Sequence, residues 1–370
     1  LAAAARAVAR AGAMAAGFGQ PVRRKALKDG ASSTGMLAYG AAAMQGWRDA
    51  MEDAHLALPD FDRARGLGLF GVFDGHGGAA VAQLVAQRLP TVLRALPSYA
   101  EGRYEDALRE TFRSLDAFLD SPAGRKDVRR SSGGGTPEMM GTTAVVALVR
   151  SRTSGASGPE VIVANAGDSR CVLASGARAV ALSRDHSPWL RGEGARVRRA
   201  GGWVNEEGRI NGNLNLSRAL GDLFYKKNRR LRPDEQLISG EPELQRRQLK
   251  PADSHLILGC DGIWERTTRQ RLVTFVNEQM LASGGSRATL ALPPAANGGR
   301  RALRPKLSSV CAAVLDATLS PNPVKTDGLG CDNMSMLLVS LEGLGAAVAP
   351  GEGGISRRRK LLRLVPRLKR

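Results

Sequence analysis

The sequence has few aromatic residues, few cysteines and no long apolar run, and each shortage excludes a class of protein. Phe, Trp and Tyr together make up 4% of the 370 residues, so a folded core must consist mainly of Val, Leu and Ala. No apolar run approaches the roughly 20 residues that a membrane-spanning helix requires. We therefore expect a soluble protein, located inside the cell in the cytoplasm or nucleus.

The cysteines are too few and too scattered to form a structural framework. None of the four belongs to a CxxC pair, and three lie in or beside apolar runs. This pattern is typical of reduced cysteines in the core of an intracellular protein. It indicates neither a disulfide framework nor a zinc site. The cysteines are Cys171, Cys260, Cys311 and Cys331.

The net charge of +19 is concentrated at the two ends of the chain. Residues 1–30 carry +5 and residues 351–370 carry +7, so the residues between them carry the remaining +7. The body is only mildly basic, which suits an enzyme that handles anions. The N-terminal stretch has no acidic residue before Asp29, which leaves two alternatives, an organelle-targeting segment and a disordered tail.

The C-terminal stretch interleaves basic residues with Leu and Val over residues 355–370. Four interpretations remain open for it. It is a nuclear localisation signal, a contact for nucleic acid or an acidic partner, a helix on a membrane surface, or a solvated disordered end.

Composition divides the chain into a basic tail at 1–34, one domain at 35–345 and a second basic tail at 346–370. Turn-forming residues predict a surface loop or disordered insertion at 121–140 and a second insertion at 283–302. A further irregular, glycine-rich stretch at 183–216 is too long for a plain connection. We expect it to be a functional loop or a small subdomain.

One stretch, FGVFDGHGG at 70–78, combines a predicted buried strand with reactive side chains. The apolar run from Leu67 to Phe73 is typical of a core strand. It ends in Asp74 and His76 within a glycine-rich turn, where the backbone can approach a ligand closely. The alternative is a structural turn after a core strand.

Three other places set carboxylates beside predicted strands. Asp261 follows an apolar run, Asp332 precedes one, and Glu52 and Asp53 follow a probable strand. Burying these carboxylates without partners would cost several kcal/mol each. Because basic residues near them are few, a pair of divalent ions with oxygen ligands is the simplest compensation, and Mg²⁺ or Mn²⁺ prefers such ligands. Residues 166–174 (AGDSRCVLA) also predict a hairpin that turns at Asp168.

These acidic positions lie in ordered blocks that resemble the metal-dependent protein serine/threonine phosphatases of the PP2C (PPM) family. The resemblance covers about 35–342, and 223–244 is similar to the gamma-type branch of that family. The blocks are GWRDAMEDAH (46–55), FDGHGG (73–78), GTTAV (141–145), NAGDSR (165–170), SRDH (183–186), AGG (200–202), NGNLNLSRALGD (211–222), CDGIWE (260–265) and GCDNMS (330–335).

The resemblance implies two Mg²⁺ or Mn²⁺ ions per active site, and a third, weaker site. Asp74 would bridge both ions, and the Gly75 carbonyl would contact one. Asp168 would join Asp261 at the third site. The implied metal ligands, including two that act through bound water, are Glu52, Asp53, Asp74, Gly75, Asp168, Asp261 and Asp332.

The resemblance also implies the roles of two catalytic residues. Arg48 would hold the substrate phosphate with its planar guanidinium. A water between the two metals would attack phosphorus in line, and His76 would protonate the leaving serine or threonine oxygen. We read Asn333 as a residue that orients Asp332, and Asp222 as a residue that braces a loop.

The implied fold is α+β, a four-layer αββα sandwich of two central antiparallel sheets flanked by helices. The implied function is metal-dependent hydrolysis of phosphoserine and phosphothreonine in phosphoprotein substrates by a monomeric enzyme. The alternative is a module that binds nucleic acid or an acidic protein through its basic tails, on a phosphatase-like body.

Overall fold

The computed structural model describes residues 19–151, 158–282 and 306–345. The predictions for the first residues of the chain, the insertion at 283–302 and the tail at 346–370 therefore concern residues outside these ranges. Within them, no helix has the length and apolar character needed to cross a bilayer.

The described residues form fourteen strands. They are β1 (Val22–Ala31), β2 (Ala38–Gly46), β3 (Ala54–Asp62), β4 (Leu67–Phe73), β5 (Gly75–His76), β6 (Gly141–Thr142), β7 (Ala144–Arg150), β8 (Glu160–Ala166), β9 (Arg170–Ser175), β10 (Arg178–Ala181), β11 (Leu220–Gly221), β12 (Glu243–Gln248), β13 (Asp253–Gly259) and β14 (Met334–Ser340).

The helices of the described residues vary from one turn to more than four. They are α1 (Ala80–Ala95), α2 (Pro97–Ala100), α3 (Tyr104–Asp120), α4 (Pro122–Ser131), α5 (Arg191–Arg199), α6 (Asp261–Trp264), α7 (Arg269–Ala282), α8 (Leu307–Thr318) and α9 (Glu342–Gly345), with short 3₁₀ helices at Leu223–Lys226 and Pro233–Glu235.

Two antiparallel sheets form the centre of the fold. One has six strands in the order β1-β2-β14-β13-β9-β10, and the other has five in the order β12-β8-β7-β4-β3. A third, small sheet has the order β11-β6-β5. The predicted α+β sandwich of two antiparallel sheets flanked by helices is confirmed.

The apolar run of β4 is continuous because both faces of its sheet are covered. Phe70 and Val72 pack toward the six-stranded sheet, in one hydrophobic core. Leu69 and Phe73 point the other way and pack with α1 and α3 in a second core. Since successive side chains of a strand point to opposite faces, a strand between two cores needs apolar residues at every position.

Helices α7 and α8 cover the outer face of the six-stranded sheet, through side chains that include Val276 and Val314. The chain thus alternates helix, sheet, sheet and helix layers. The antiparallel register of each sheet brings strand ends together at its edge, where the candidate site lies.

Three predictions of local structure are wrong. Residues 22–31 belong to the folded domain as the edge strand β1, although we expected a tail to residue 34. The predicted insertion at 121–140 contains helix α4, which Ser121 caps by accepting a hydrogen bond from the Gly124 N–H. Strand β1 is polar because most of its residues are exposed at the edge of the sheet, and α4 is polar because only Gly124 and Val128 are buried. Polarity alone does not distinguish such an element from a loop.

The third wrong prediction is the hairpin at 166–174. Strand β8 pairs with β7 and β12, whereas β9 pairs with β13 and β10. The chain therefore crosses from one sheet to the other at Gly167, whose φ of 115° favours glycine. As a result, Asp168 lies between the two sheets and not at the tip of a hairpin.

The irregular stretch between β10 and β12 forms a small subdomain, as one of the two alternatives predicted. Its own hydrophobic cluster is separate from the two main cores. The buried members of this cluster are Val197, Ile210, Leu216, Ala219, Tyr225 and Ile238.

Candidate active site

Strand ends from both sheets place four acidic side chains at one end of the sandwich. Asp74 follows β4 of the five-stranded sheet, and Asp168 lies where the chain crosses between the sheets. Asp261 follows β13, and Asp332 precedes the antiparallel β14 beside it, so both lie at the same edge of the six-stranded sheet. Residues separated by more than 250 positions in sequence thus meet in space.

Hydrogen bonds to Thr143 and the absence of a side chain at Gly75 fix the backbone at Asp74. The Asp74 carbonyl accepts a hydrogen bond from the Thr143 N–H at 2.9 Å, and the Asp74 N–H donates to Thr143 Oγ1 at 3.2 Å. At Gly75 a Cβ atom would lie 2.3 Å from the Glu52 carbonyl oxygen. Only glycine permits this close approach, which brings the loop carrying Glu52 against the end of β4.

The acidic side chains form overlapping groups in which one ligand atom of each residue lies within 4.8 Å of the others. Asp74 and Asp261 belong to two groups each. The groups are Asp53, Asp74 and Cys260; Asp74, Asp168 and Asp261; and Asp261, Glu265 and Asp332.

Sequence reasoning missed Glu265 as a member of this cluster. It lies four residues after Asp261, and its N–H donates to the Asp261 carbonyl at 2.9 Å in a helical turn. Residues at this spacing share one face of a helix. The spacing within CDGIWE was therefore a signal that could have identified it.

Asp53 has the environment of a metal ligand or of a residue that supports one. Its side chain is buried, and both carboxylate oxygens lack a hydrogen-bond partner among the described residues. Burial raises the pKa of Asp53 to about 7. An unpaired buried carboxylate is costly, and a divalent cation nearby would compensate it.

The remaining acids have raised pKa values for the same reasons. Burial, followed by the negative charges of its neighbours, raises the pKa of Asp74 well above its usual value, and Asp261 behaves alike. Burial and the charge of Asp185 raise the pKa of Asp168 to about 6. Such a cluster repels itself unless cations or protons neutralise it.

The donor atoms of the cluster select a hard cation. Burial keeps the pKa of the Cys260 thiol well above its usual value, so the thiol stays protonated and the carboxylate oxygens are the available ligands. Oxygen ligands favour Mg²⁺ or Mn²⁺ over softer metals. The residues present thus fit a centre for hard divalent ions.

The acids open onto a cavity of about 740 Å³. All of the predicted site residues except Asp53 line this cavity, and the side chain of Asp53 is buried. The small subdomain contributes Arg209 and residues 213–216 to the rim. The predicted residues in the lining are Arg48, Glu52, Asp74, Gly75, His76, Asp168, Asp261 and Asp332.

Arg48 lies at this cavity and is paired with an acid of the cluster. Its Nη2 donates to Asp332 Oδ2, and its side chain is 43% exposed. The guanidinium therefore has donors in reach of the cavity while one of its nitrogens contacts a carboxylate.

Asn333 contacts Asp332 through its backbone and the loop of residues 45–52 through its side chain. Its backbone N–H donates to Asp332 Oδ1 at 2.7 Å, but its side chain holds the neighbouring loop. The amide Nδ2 donates to the carbonyls of Gln45 and Ala50, and Oδ1 accepts from the Glu52 N–H at 2.8 Å. The loop that carries Arg48 and Glu52 is thus fixed to the start of β14.

His76 contacts a carboxylate that our sequence analysis assigned to bracing a loop. Its Nε2 lies 2.9 Å and 2.8 Å from the two oxygens of Asp222. Burial lowers the pKa of His76, but the charge of Asp222 and its hydrogen bond outweigh burial and raise the pKa above the usual value. The two residues are 146 positions apart, so no local pattern could have indicated the pair.

Comparison with known proteins gives a consistent result. A family model described as "Protein phosphatase 2C" matches residues 37–296. The chain is 40% identical over 324 residues to a protein named "Probable protein phosphatase 2C 3" from Paramecium tetraurelia, covering 87% of this chain and 98% of that protein. It is 34% identical to "Probable protein phosphatase 2C 58" from Oryza sativa subsp. japonica, covering 87% of this chain and 88% of the relative.

Solved structures share the fold. A phosphatase from Toxoplasma gondii superposes with a TM-score of 0.65 at 23% identity, covering 85% of this chain and 95% of that one. A second structure, titled as a serine-threonine phosphatase 2C from Toxoplasma gondii, gives a TM-score of 0.62 at 18% identity and covers 86% of this chain and 99% of its own.

Proposed function

This chain belongs to the protein phosphatase 2C family, a family of metal-dependent phosphatases, and from that premise we propose that it hydrolyses phosphoserine and phosphothreonine in phosphoproteins with two Mg²⁺ or Mn²⁺ ions. The observation that carries the proposal is the convergence of acidic side chains from both sheets. Their ligand atoms lie within 4.8 Å of one another in three overlapping groups.

Asp74, Asp261, Asp332 and Asp168 would hold the ions, with Glu52 and Asp53 acting through ordered water. Asp74 and Asp261 each belong to two of the three groups, so they would connect neighbouring ion positions. When bound, the divalent ions activate a water molecule for attack and neutralise charge on the phosphoryl group.

The protein's own side chains would bind the substrate and handle its leaving group. Arg48 would hold phosphoryl oxygens through charge-assisted hydrogen bonds, because its guanidinium is half-exposed at the cavity. His76 would donate a proton to the leaving serine or threonine oxygen. The rim residues of the small subdomain would contact the peptide on either side of the phosphorylated residue.

The first test is metal-dependent turnover by the full chain. We expect hydrolysis of a phosphothreonine peptide with Mn²⁺ or Mg²⁺, loss of activity with EDTA and recovery on adding metal. Asp74→Asn should lower kcat by at least about 100-fold, because changing even residues that only orient a metal ligand typically costs about 10- to 100-fold.

The matched control is Asp60→Asn, which changes an exposed carboxylate of β3 that bonds only to Ser33 among the described residues. This variant should keep wild-type turnover. Turnover that persists undiminished in EDTA, or an Asp74→Asn variant as active as Asp60→Asn, would refute the proposal. Parallel assays with a phosphotyrosine peptide test the preference for serine and threonine.

Several finer predictions stay predictions. They are the likeness to the gamma-type branch, the monomeric state, the cellular compartment and the contacts of the basic C-terminal tail, whose residues lie outside the described ranges.

A further inference from the structure

The small sheet β11-β6-β5 brings two distant side chains together. His76 in β5 pairs with Gly141 in β6, and Gly141 pairs in turn with Gly221 in β11. Asp222 directly follows Gly221. Gly141 in the middle strand thus lies between the strand that carries His76 and the strand that leads to Asp222.

The backbone at Asp222 is specialised for this contact. Its φ of 51° lies in the left-handed region, which residues other than glycine seldom adopt. Its N–H donates to the Met140 carbonyl at 2.9 Å, which fixes the turn against β6. The carboxylate is 2% exposed, and both of its oxygens lie within 2.9 Å of His76 Nε2.

Gly141 provides the space in which the pair meets. A Cβ atom at this position would lie 2.3 Å from Asp222 Oδ2 and 2.6 Å from His76 Nε2. The φ of Gly141 is outside the left-handed region, so glycine is required here for space and not for backbone conformation. Any other residue would push the two side chains apart.

The two members of the pair face different environments. His76 lines the cavity and its side chain is 25% exposed, whereas Asp222 is absent from the cavity lining and almost fully buried. Asp222 therefore acts behind the histidine, out of reach of a substrate in the cavity. Any role it has in catalysis must pass through His76.

We propose that Asp222 is the positioning residue of a histidine–aspartate pair: it holds the Nε2–H of His76, which leaves Nδ1 as the nitrogen that protonates the leaving group. This inference rests on the proposed function and assigns the buried partner and the donor atom of its proton-transfer step. The proposal requires the geometry of the small sheet, including the absence of a side chain at Gly141.

Proton transfer accompanies cleavage of the phosphoester bond. Water attacks phosphorus, the bond between phosphorus and the serine or threonine oxygen breaks, and its electron pair goes to that oxygen. The oxygen takes the Nδ1 proton of the imidazolium, which gives the free alcohol and inorganic phosphate. The ring is left neutral with its remaining proton on Nε2, donated to Asp222, and regains a proton at Nδ1 from solvent.

The test compares two substrates that differ in their need for a proton. An alkyl phosphoester, the phosphothreonine peptide, has a poor leaving group, whereas p-nitrophenyl phosphate has a good one. Asp222→Ala should lower kcat for the peptide by about 100-fold, within the range that general acids contribute. It should lower kcat for the aryl ester by less than about 5-fold and leave KM for both substrates unchanged.

Gly141→Ala separates the pair while keeping both of its members, so it should show the same split between substrates. The control is Asp116→Asn. Asp116 accepts from the Gly221 N–H at 2.9 Å and pairs with Lys226, so the variant loosens the same small sheet without touching His76. Its ratio of peptide to aryl-ester turnover should match wild type even if its stability falls.

A double-mutant cycle isolates action through the histidine. If Asp222 acts only through His76, adding Asp222→Ala to a His76→Ala variant should not lower kcat for the peptide any further. Additive losses, or equal losses on both substrates in Asp222→Ala, would overturn the proposal while leaving the proposed function intact. A wild-type protein that turns over neither substrate would overturn both.

One measurement needs no change at the pair. The chain has four histidines, so ¹H–¹⁵N spectra of its imidazole rings are simple, and His76→Gln identifies the signal of His76. At alkaline pH, once the ring is neutral, we expect the Nε2–H tautomer. The Nδ1–H tautomer would contradict the proposal, whether or not the Asp222 and Gly141 variants fold.

Discussion

At the scale of single residues, Asn333 shows how one buried amide organises the site. It is 5% exposed and makes three side-chain hydrogen bonds to the loop of residues 45–52. Each of these bonds satisfies a backbone group of that loop. Removing the amide would leave those backbone groups without this hydrogen-bond partner. The position of Arg48 and Glu52 thus depends on a side chain that does not itself need to touch substrate.

We expect Asn333→Ala to lower the free energy of unfolding by about 3 kcal/mol, because it leaves buried backbone groups without partners. Urea denaturation of the full chain measures this change. Mn²⁺ affinity should fall as well, since the loop carrying Glu52 loosens.

The control for that prediction is Asn322→Ala. Asn322 is exposed, and its Oδ1 accepts only from the Lys325 N–H among the described residues. Its loss should cost less than about 1 kcal/mol. An Asn333→Ala variant as stable as this control would show that the loop is held by other contacts.

At the scale of elements, β1 and α8 stabilise each other. The Asp29 carboxylate of β1 accepts hydrogen bonds from the N–H and the hydroxyl of Ser308, at 2.9 Å and 2.5 Å, in the first turn of α8. Lys306, the residue before α8, provides no side-chain cap. A strand thus caps a helix that lies nearly 280 residues later in the sequence.

Asp29→Ala should therefore lower the free energy of unfolding by about 1 kcal/mol, the typical value for loss of an N-terminal cap. Thermal or urea denaturation provides the measurement. Arg23→Ala, at an exposed position of the same strand, should change stability by less than about 0.5 kcal/mol. Equal effects of the two substitutions would mean that β1 contributes no cap to α8.

At the scale of the whole molecule, the two sheets create a site whose charge depends on metal and pH. Burial raises the pKa of Asp53 to about 7, and burial with the charge of Asp185 raises that of Asp168 to about 6. Without metal, these two carboxyls therefore bind more protons in the folded state than in the unfolded chain between about pH 4 and pH 7. Their contribution to stability is greatest at the acidic end of this window and is lost as the pH rises through these pKa values.

Divalent ions compete with these protons, so stabilisation by metal should grow with pH. We expect the increase in Tm caused by saturating Mn²⁺, relative to EDTA, to be several degrees larger at about pH 8 than at about pH 5.5. Melting curves at three pH values provide the test. Asp53→Asn should reduce the pH dependence, and an increase in Tm that does not vary with pH would contradict this account.

The sequence alone named most of the acids of the site, and its resemblance to one family implied the class of the fold. The apolar runs at Leu67–Phe73 and before Asp261 predicted buried strands, because an uninterrupted apolar segment is typical of a core strand. Their abrupt ends in Asp-Gly predicted carboxylates at strand termini. Ordered motifs then linked these residues to one family, and the acids named from sequence do meet at one end of the sandwich.

Only the tertiary structure decided which residues meet across long distances. The pairing of His76 with Asp222, the capping of α8 by Asp29 and the crossing of the chain at Gly167 all join segments through sheet order and register. Local sequence patterns report periodicity and turn chemistry, but they contain no information on which strands become neighbours. That choice is made by packing two sheets and their helices together, so it appears only when the whole chain has folded.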